Sequence, residues 1–150
     1  IIAVNKWDSI EKDDKTMNKY LKDIGNELAY MPYAPRVFIS ALTGQRIPRM
    51  LELIRTVNEN HALRISTGVL NEVLIEATAM QQPPADKGRQ LRLYYMTQVS
   101  VKPPTFVIFV NERELFHFSY RRYIENQLRE AFGFVGTPIH FIVREKGDKD

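Results

Sequence analysis

The sequence predicts an α/β segment built on a parallel sheet, followed by a smaller α+β domain. Three observations predict it. Two short apolar runs, at residues 1–4 and 36–39, flank a stretch of helical periodicity. Two proline pairs, Pro83-Pro84 and Pro103-Pro104, punctuate the second half. Beyond residue 64 the pattern reads helix, strand, strand, helix, strand, the order of a sheet with helices on one face.

The first strand, residues 1–4, is a continuous Ile- and Val-rich run that suits a strand covered on both faces. It leads into Asn5-Lys6-Trp7-Asp8. In parallel sheets ligands bind beyond the carboxyl ends of the strands, where these four residues fall. Guanine offers two adjacent donors, N1–H and the N2 amine, and a carboxylate at Asp8 can accept both. Asn5 can donate to the acceptor edge of the base or tie neighbouring loops together. The stem of Lys6 can cover the flat base while its ammonium stays wet. The plainer alternative is a polar helix entry with Asp8 as N-cap.

A helix over residues 13–28 follows, with Met17, Tyr20, Leu21, Ile24 and Leu28 at helical spacing. The second strand, 36–39, ends in Ser40-Ala41-Leu42-Thr43-Gly44. Strand, helix, strand makes one right-handed crossover, so both loops emerge at the same sheet edge. A second helix runs from residue 47 to 58 or somewhat beyond, with Met50, Leu51, Ile54 and Val57 facing the core. The domain boundary falls after Leu63, giving domains 1–63 and 64–150.

In the second domain, Ser66 or Thr67 caps a helix whose inner stripe is Val69, Leu70, Val73, Leu74 and Ala77. Pro83-Pro84 ends it, and residues 85–90 read as a polar loop. Leu91, Leu93 and Tyr95 alternate with Arg92, Tyr94 and Met96, the period of a half-buried strand. After Pro103-Pro104 a more central strand covers 105–110. A helix from Ser119 turns Tyr120, Tyr123, Ile124, Leu128 and Ala131 inward, and Gly133 stops it. A last strand covers 139–143, and the polar tail after Arg144 frays.

Composition excludes several classes. At 44% hydrophobic and 26% charged, the 150 residues suffice for a modest core. The net charge of +3 permits nucleic-acid contact without arguing for it. The absence of cysteine removes disulfides and thiolate metal sites, and His61, His117 and His140 show no ligand spacing. No apolar run approaches the ~20 residues of a membrane span, so a cytoplasmic protein with no membrane partner is expected.

Asn5-Lys6-Trp7-Asp8 followed by Ser40-Ala41-Leu42 resembles the last two nucleotide motifs of a GTPase G domain. With Arg64-Ile65-Ser66-Thr67, Leu70-Asn71, Pro83-Pro84, Gly88-Arg89 and Gly136-Thr137-Pro138-Ile139, the chain resembles throughout its length the Der (EngA) family of bacterial GTPases. That family has two tandem G domains and a C-terminal KH-like domain, and acts in maturation of the large ribosomal subunit. The resemblance implies that this chain is the end of the second G domain, part of a P-loop fold, joined to the KH-like domain. It further implies GTP or GDP with Mg as cofactor, and as partners the large subunit with its rRNA and upstream G domains. Asn5, Lys6, Asp8, Ser40, Ala41 and Leu42 match the base-binding positions, where the Ser-Ala-Leu loop presents a backbone N–H to the guanine oxygen. No G-x-x-x-x-G-K-[ST] loop and no match to a catalytic residue occurs, and a two-stranded sheet would leave an edge unpaired. The chain is therefore expected to be part of a longer protein and inactive by itself.

Gly133-Phe134-Val135-Gly136 spells the G-x-x-G of RNA-binding KH domains, but it follows a helix, precedes a strand and carries Phe and Val. It reads as a helix stop with a buried Phe-Val plug. The RNA-contact candidates are instead Lys87, Arg89 and Arg92 near one loop, and Arg121 and Arg122 on the last helix, with Arg129 and the nearby tyrosines. Two readings follow for the second domain: it contacts rRNA, or it is an internal docking element for the G domains without touching RNA. The family's ribosomal role favours the first.

Overall fold

The computed structural model describes residues 1–148. Lys149 and Asp150, the last positions of the expected second domain, lie outside the described residues. The chain divides into two compact units, Ile1–Asn60 with Val135–Pro138, and His61–Phe134 with Ile139–Asp150.

In the first unit β1 (Ile2–Val4) and β2 (Arg36–Phe38) pair in parallel, Ile2 opposite Arg36 and Val4 opposite Phe38. The ladder runs on into the loops: Ile39 N–H donates to Val4 O at 2.8 Å, and Trp7 N–H to Ile39 O at 3.0 Å. α1 (Thr16–Glu27) connects the strands and starts later than its periodicity suggests. Ahead of it Asp13 and Thr16 close a reciprocal turn, Asp13 N–H donating to Thr16 Oγ1 and the Thr16 hydroxyl to Asp13 Oδ1. The Lys15 N–H, then the Thr16 hydroxyl, hold the Asp13 carboxyl below its ordinary range. α2 spans Ile47–His61.

Two expectations for this unit are corrected. β1 is not buried on both faces: Ile2 and Val4 are half-buried and Ala3 is exposed. On α2, Leu51 and Ile54 stand 58% and 48% exposed instead of facing the core, while Met50 and Val57 are half-buried. Both have one cause. The sheet of described residues is two strands wide, too narrow to cover the apolar stripe of a four-turn helix or to give β1 a second neighbour. Val135–Pro138 contributes to this unit through Gly136 N–H, which donates to Tyr33 O at 3.0 Å, and through Asn60 Nδ2, which donates to Val135 O at 3.0 Å.

The second unit comprises α3 (Thr67–Met80), the hairpin β3 (Ala85–Asp86) and β4 (Arg89–Gln90), β5 (Leu93–Ser100), β6 (Thr105–Val110), α4 (Phe118–Phe132) and β7 (His140–Glu145). Its main sheet has the order β5-β6-β7, antiparallel on one side of β6 and parallel on the other. Leu70, Leu74 and Ala77 of α3, Phe106, Ile108 and Val110 of β6, and Ile124 and Leu128 of α4 form the core with Phe134 and Phe141. Two buried-side amides connect distant segments. Asn71 pairs with the backbone of Met96 in both directions, at 2.9 and 3.0 Å, as a strand neighbour would. Gln98 accepts from Ile65 N–H at 2.7 Å and donates to Leu63 O at 2.9 Å.

Here too the structure departs from the pattern. Residues 85–90 are a two-residue hairpin, since Lys87 (φ 49°) and Gly88 (φ 78°) both adopt the left-handed geometry its tight turn needs. The alternation in β5 reverses part-way. Leu91 is buried and Leu93 half-buried, yet Tyr95 is 45% exposed while Met96 and Gln98 point inward. A register shift between Leu93 and Tyr95 inserts one residue, and with a period of two one residue exchanges the faces. Val69 and Ala131 are exposed at the margins of their stripes. In the Gly133–Gly136 loop Phe134 is fully buried, but Val135 is 46% exposed, so the plug is Phe134 alone.

Candidate functional site

Both loops predicted to carry chemistry leave the carboxyl ends of the parallel pair β1 and β2. Trp7 anchors the first loop. It is 3% exposed and packs on Phe38, ring centres 4.4 Å apart, and edge-on to Tyr20 at 5.5 Å. Burying Trp7 forces its neighbours outward: Lys6 turns the chain with φ 61° and ψ 31°, and Trp7–Ser9 forms a single 3-10 turn. Ser9 closes this turn, its N–H and hydroxyl both donating to Lys6 O, at 3.1 and 2.8 Å. The Asp8 carboxylate is left exposed, and among the described residues it takes part in no hydrogen bond or ion pair.

The second loop is held from inside. Ser40 is fully buried, and its Oγ accepts from Thr43 N–H at 3.2 Å. Its backbone N–H donates to Gln45 O at 3.1 Å, and its carbonyl accepts from Gly44 N–H at 2.9 Å. Ala41 and Leu42 are thereby carried to the surface, Leu42 88% exposed. Asn5 Oδ1 accepts from Ala41 N–H at 3.0 Å and fastens the first loop to the second. Of the two roles open to Asn5, the structure shows the tie. The assembly presents a free carboxylate, an exposed lysine and a turn of backbone on one edge, a set suited to a planar ligand with paired N–H donors.

Sequence reasoning missed Lys12, whose ammonium lies 5.4 Å from the centre of the Trp7 ring and donates to Trp7 O. Nothing in the spacing Trp7 to Lys12 marks such a contact, which depends on the path of the chain after the 3-10 turn.

The basic candidates fall into two groups. Lys87, Arg89 and Arg92 are exposed around the β3–β4 hairpin, and Arg89 is paired with Glu112. Arg121 and Arg122 are exposed on α4, the Arg121 guanidinium 5.7 Å from the centre of the Phe141 ring. Arg129 is spent within the fold, bonded to Glu125 at 2.9 Å and to Phe134 O at 2.9 Å. Tyr120 and Tyr123 face inward and donate to Gln81 O and Ala77 O, each at 2.8 Å, so neither serves as a stacking ring on that helix. Among the described residues no group of three or more His, Asp or Glu side chains could hold a metal ion. Among the described residues no helix is long and apolar enough to cross a membrane.

Residues 64–144 match the family described as the KH-domain-like of EngA bacterial GTPase enzymes, C-terminal. The chain belongs to this family. Beyond the matched region, the whole chain is 63% identical to a protein named GTPase Der from Lachnoclostridium phytofermentans and 60% identical to one from Alkaliphilus metalliredigens. In both cases all 150 residues align, over 34% of the relative's length. A GTPase Der from Acetivibrio thermocellus is 62% identical over 146 residues, 97% of this chain and 33% of its own. The chain thus spans about a third of the length of the curated relatives it matches. An α/β unit with a parallel strand pair, followed by a KH-like α+β unit, is the fold the sequence predicts.

Proposed function

We propose that this chain supplies the base-reading part of a guanine-nucleotide site in a GTP-hydrolysing protein of large-ribosomal-subunit assembly, and that its KH-like unit contacts rRNA. The hydrogen bond from Ala41 N–H to Asn5 Oδ1 carries the first half. It couples the two loops across 36 positions of sequence and leaves Asp8 unpartnered at the edge, as a reader of N1–H and the N2 amine must be. Lys6 covers the base, Ser40 supports its loop, and with the Ala41 N–H taken up by Asn5 the loop offers the Leu42 backbone N–H to the guanine oxygen. With no G-x-x-x-x-G-K-[ST] loop in its sequence, the chain is expected not to hydrolyse GTP by itself; the GTPase names of its relatives support that activity for a longer protein. Replacing Asp8 by Asn in the full-length protein, read out as GTP and GDP affinity, tests this half.

The RNA half is supported by the exposed Arg121 and Arg122, with Lys87 and Arg92, on a unit of the KH-like family. Binding of the purified chain to ribosomal and unrelated RNA across a salt series tests it. Saturable preference for the ribosomal target, lost in Arg121→Glu/Arg122→Glu, is expected. Equal, steeply salt-dependent binding to every RNA would be electrostatics alone, and would leave the unit a docking element for G domains of the same protein.

A further inference from the structure

We infer that Tyr95, stacked on Phe109 beside Tyr94 and Lys146, forms a platform for an unpaired base of single-stranded RNA. This rests on the RNA reading above and assigns it a different surface from the helix arginines. Tyr95 and Phe109 are cross-strand partners whose rings lie 4.4 Å apart and 15° from parallel. Such a pair stabilises a sheet, but it does not require the bare surface found here: Tyr95 is 45% and Tyr94 46% exposed. Neither tyrosine hydroxyl has a hydrogen-bond partner among the described residues. The inserted residue in β5 is what turns both tyrosines to the surface.

The two tyrosines, Phe109, Lys146 and Gly147 line a hollow of about 410 Å³. The Lys146 ammonium lies 5.7 Å from the centre of the Tyr94 ring, and its backbone N–H donates to Val110 O at 3.3 Å, which fixes its place beside β6. Arg144 stands opposite Phe109 on β7, extending the row Tyr95–Phe109–Arg144 across all three strands. Of the nearby carboxylates, Asp148 pairs with the Arg113 guanidinium and Glu145 accepts from the Arg113 backbone N–H. Planar aromatic faces flanked by cations match a base with its phosphate and not an apolar helix. The G-x-x-G loop offers no such surface, because Phe134 is wholly buried.

Fluorescence anisotropy of labelled single-stranded and duplex RNA on the whole chain tests the platform. Single strands are expected to bind more tightly than duplex. Tyr95→Ala should weaken single-strand binding at least about fivefold, the lower end of what one stacked base contributes, while Tyr95→Phe retains it. Because Tyr95→Ala also removes a cross-strand stack, Lys146→Gln gives a readout independent of folding, a flatter salt dependence by about 0.7 in slope. Wild-type affinity and salt slope in both variants, with binding still lost in Arg121→Glu/Arg122→Glu, overturns the platform and leaves the RNA reading standing. Absence of all RNA binding overturns both. If Tyr95→Ala instead dissolves a dimer of this chain, the face is a self-interface and the platform is wrong.

Discussion

Asp8→Asn separates recognition from folding because of what Asp8 does not do. Its carboxylate is exposed and makes no hydrogen bond or ion pair among the described residues, while the loop is held by Trp7, Ser9 and Asn5. Stability should therefore change by no more than about 0.5 kcal/mol, the usual range for such a surface position. Binding should change far more. A carboxylate accepting from N1–H and the N2 amine makes two charge-assisted hydrogen bonds, each contributing about 1.5–3 kcal/mol. The amide in Asn offers one acceptor and one donor, so it opposes a donor to the N2 amine and loses both contacts in their charged form. A loss of about 3–6 kcal/mol corresponds to roughly 10²- to 10⁴-fold in Kd. The same amide complements xanthine, which has a C2 carbonyl in place of the amine, so xanthine nucleotides should gain what guanine nucleotides lose. Titration of the full-length protein with fluorescent GDP and XDP measures both. Unchanged GTP and GDP affinities would refute the assignment of Asp8, and a collapsed melting transition would refute its independence from the fold.

Two further outcomes follow from packing. Gly136 has φ 81°, and a Cβ placed on it would lie 2.2 Å from Val57 Cγ2, so Gly136→Ala should destabilise the first unit by about 2–5 kcal/mol. Adding Val57→Ala should recover the steric part in a denaturant melt, and an additive double variant would show that the contact is not the cause. Burial, with Tyr123 beside it, pushes the Tyr120 hydroxyl up to about 12. A raised folded-state value means this contribution to stability is complete below the ordinary value of 10.0 and is lost as pH rises from there through about 12. Tyr120→Phe should flatten the fall of the urea midpoint across that window, and an undiminished slope would place the titration elsewhere.

How the two loops of the candidate site come together was legible in the chain, because it follows from strand order. The carboxylate follows the strand by four positions, and strand–helix–strand connections have one hand, so Asn5–Asp8 and Ser40–Gly44 had to meet at one edge. Which of two roles Asn5 takes was not legible, because the bond to Ala41 depends on the spacing of two loops that only the folded pair sets.

Periodicity also has a definite reach. The apolar stripe of α2 names the face that avoids water but not what covers it, and beside two strands Leu51 and Ile54 remain exposed. In β5 a single inserted residue exchanges inside and outside, since the two faces of a strand differ by one position. The sequence by itself determined the order of the main helices and strands and the placing of the two loops at one sheet edge, because these follow from residue type and chain direction. Tertiary structure decided the Asn5 tie, the amide of Asn71 pairing with Met96 like a strand neighbour, and the outward turn of Tyr94 and Tyr95. Each of these depends on where a distant backbone group comes to lie, and pairwise geometry of that kind is created only when the chain packs.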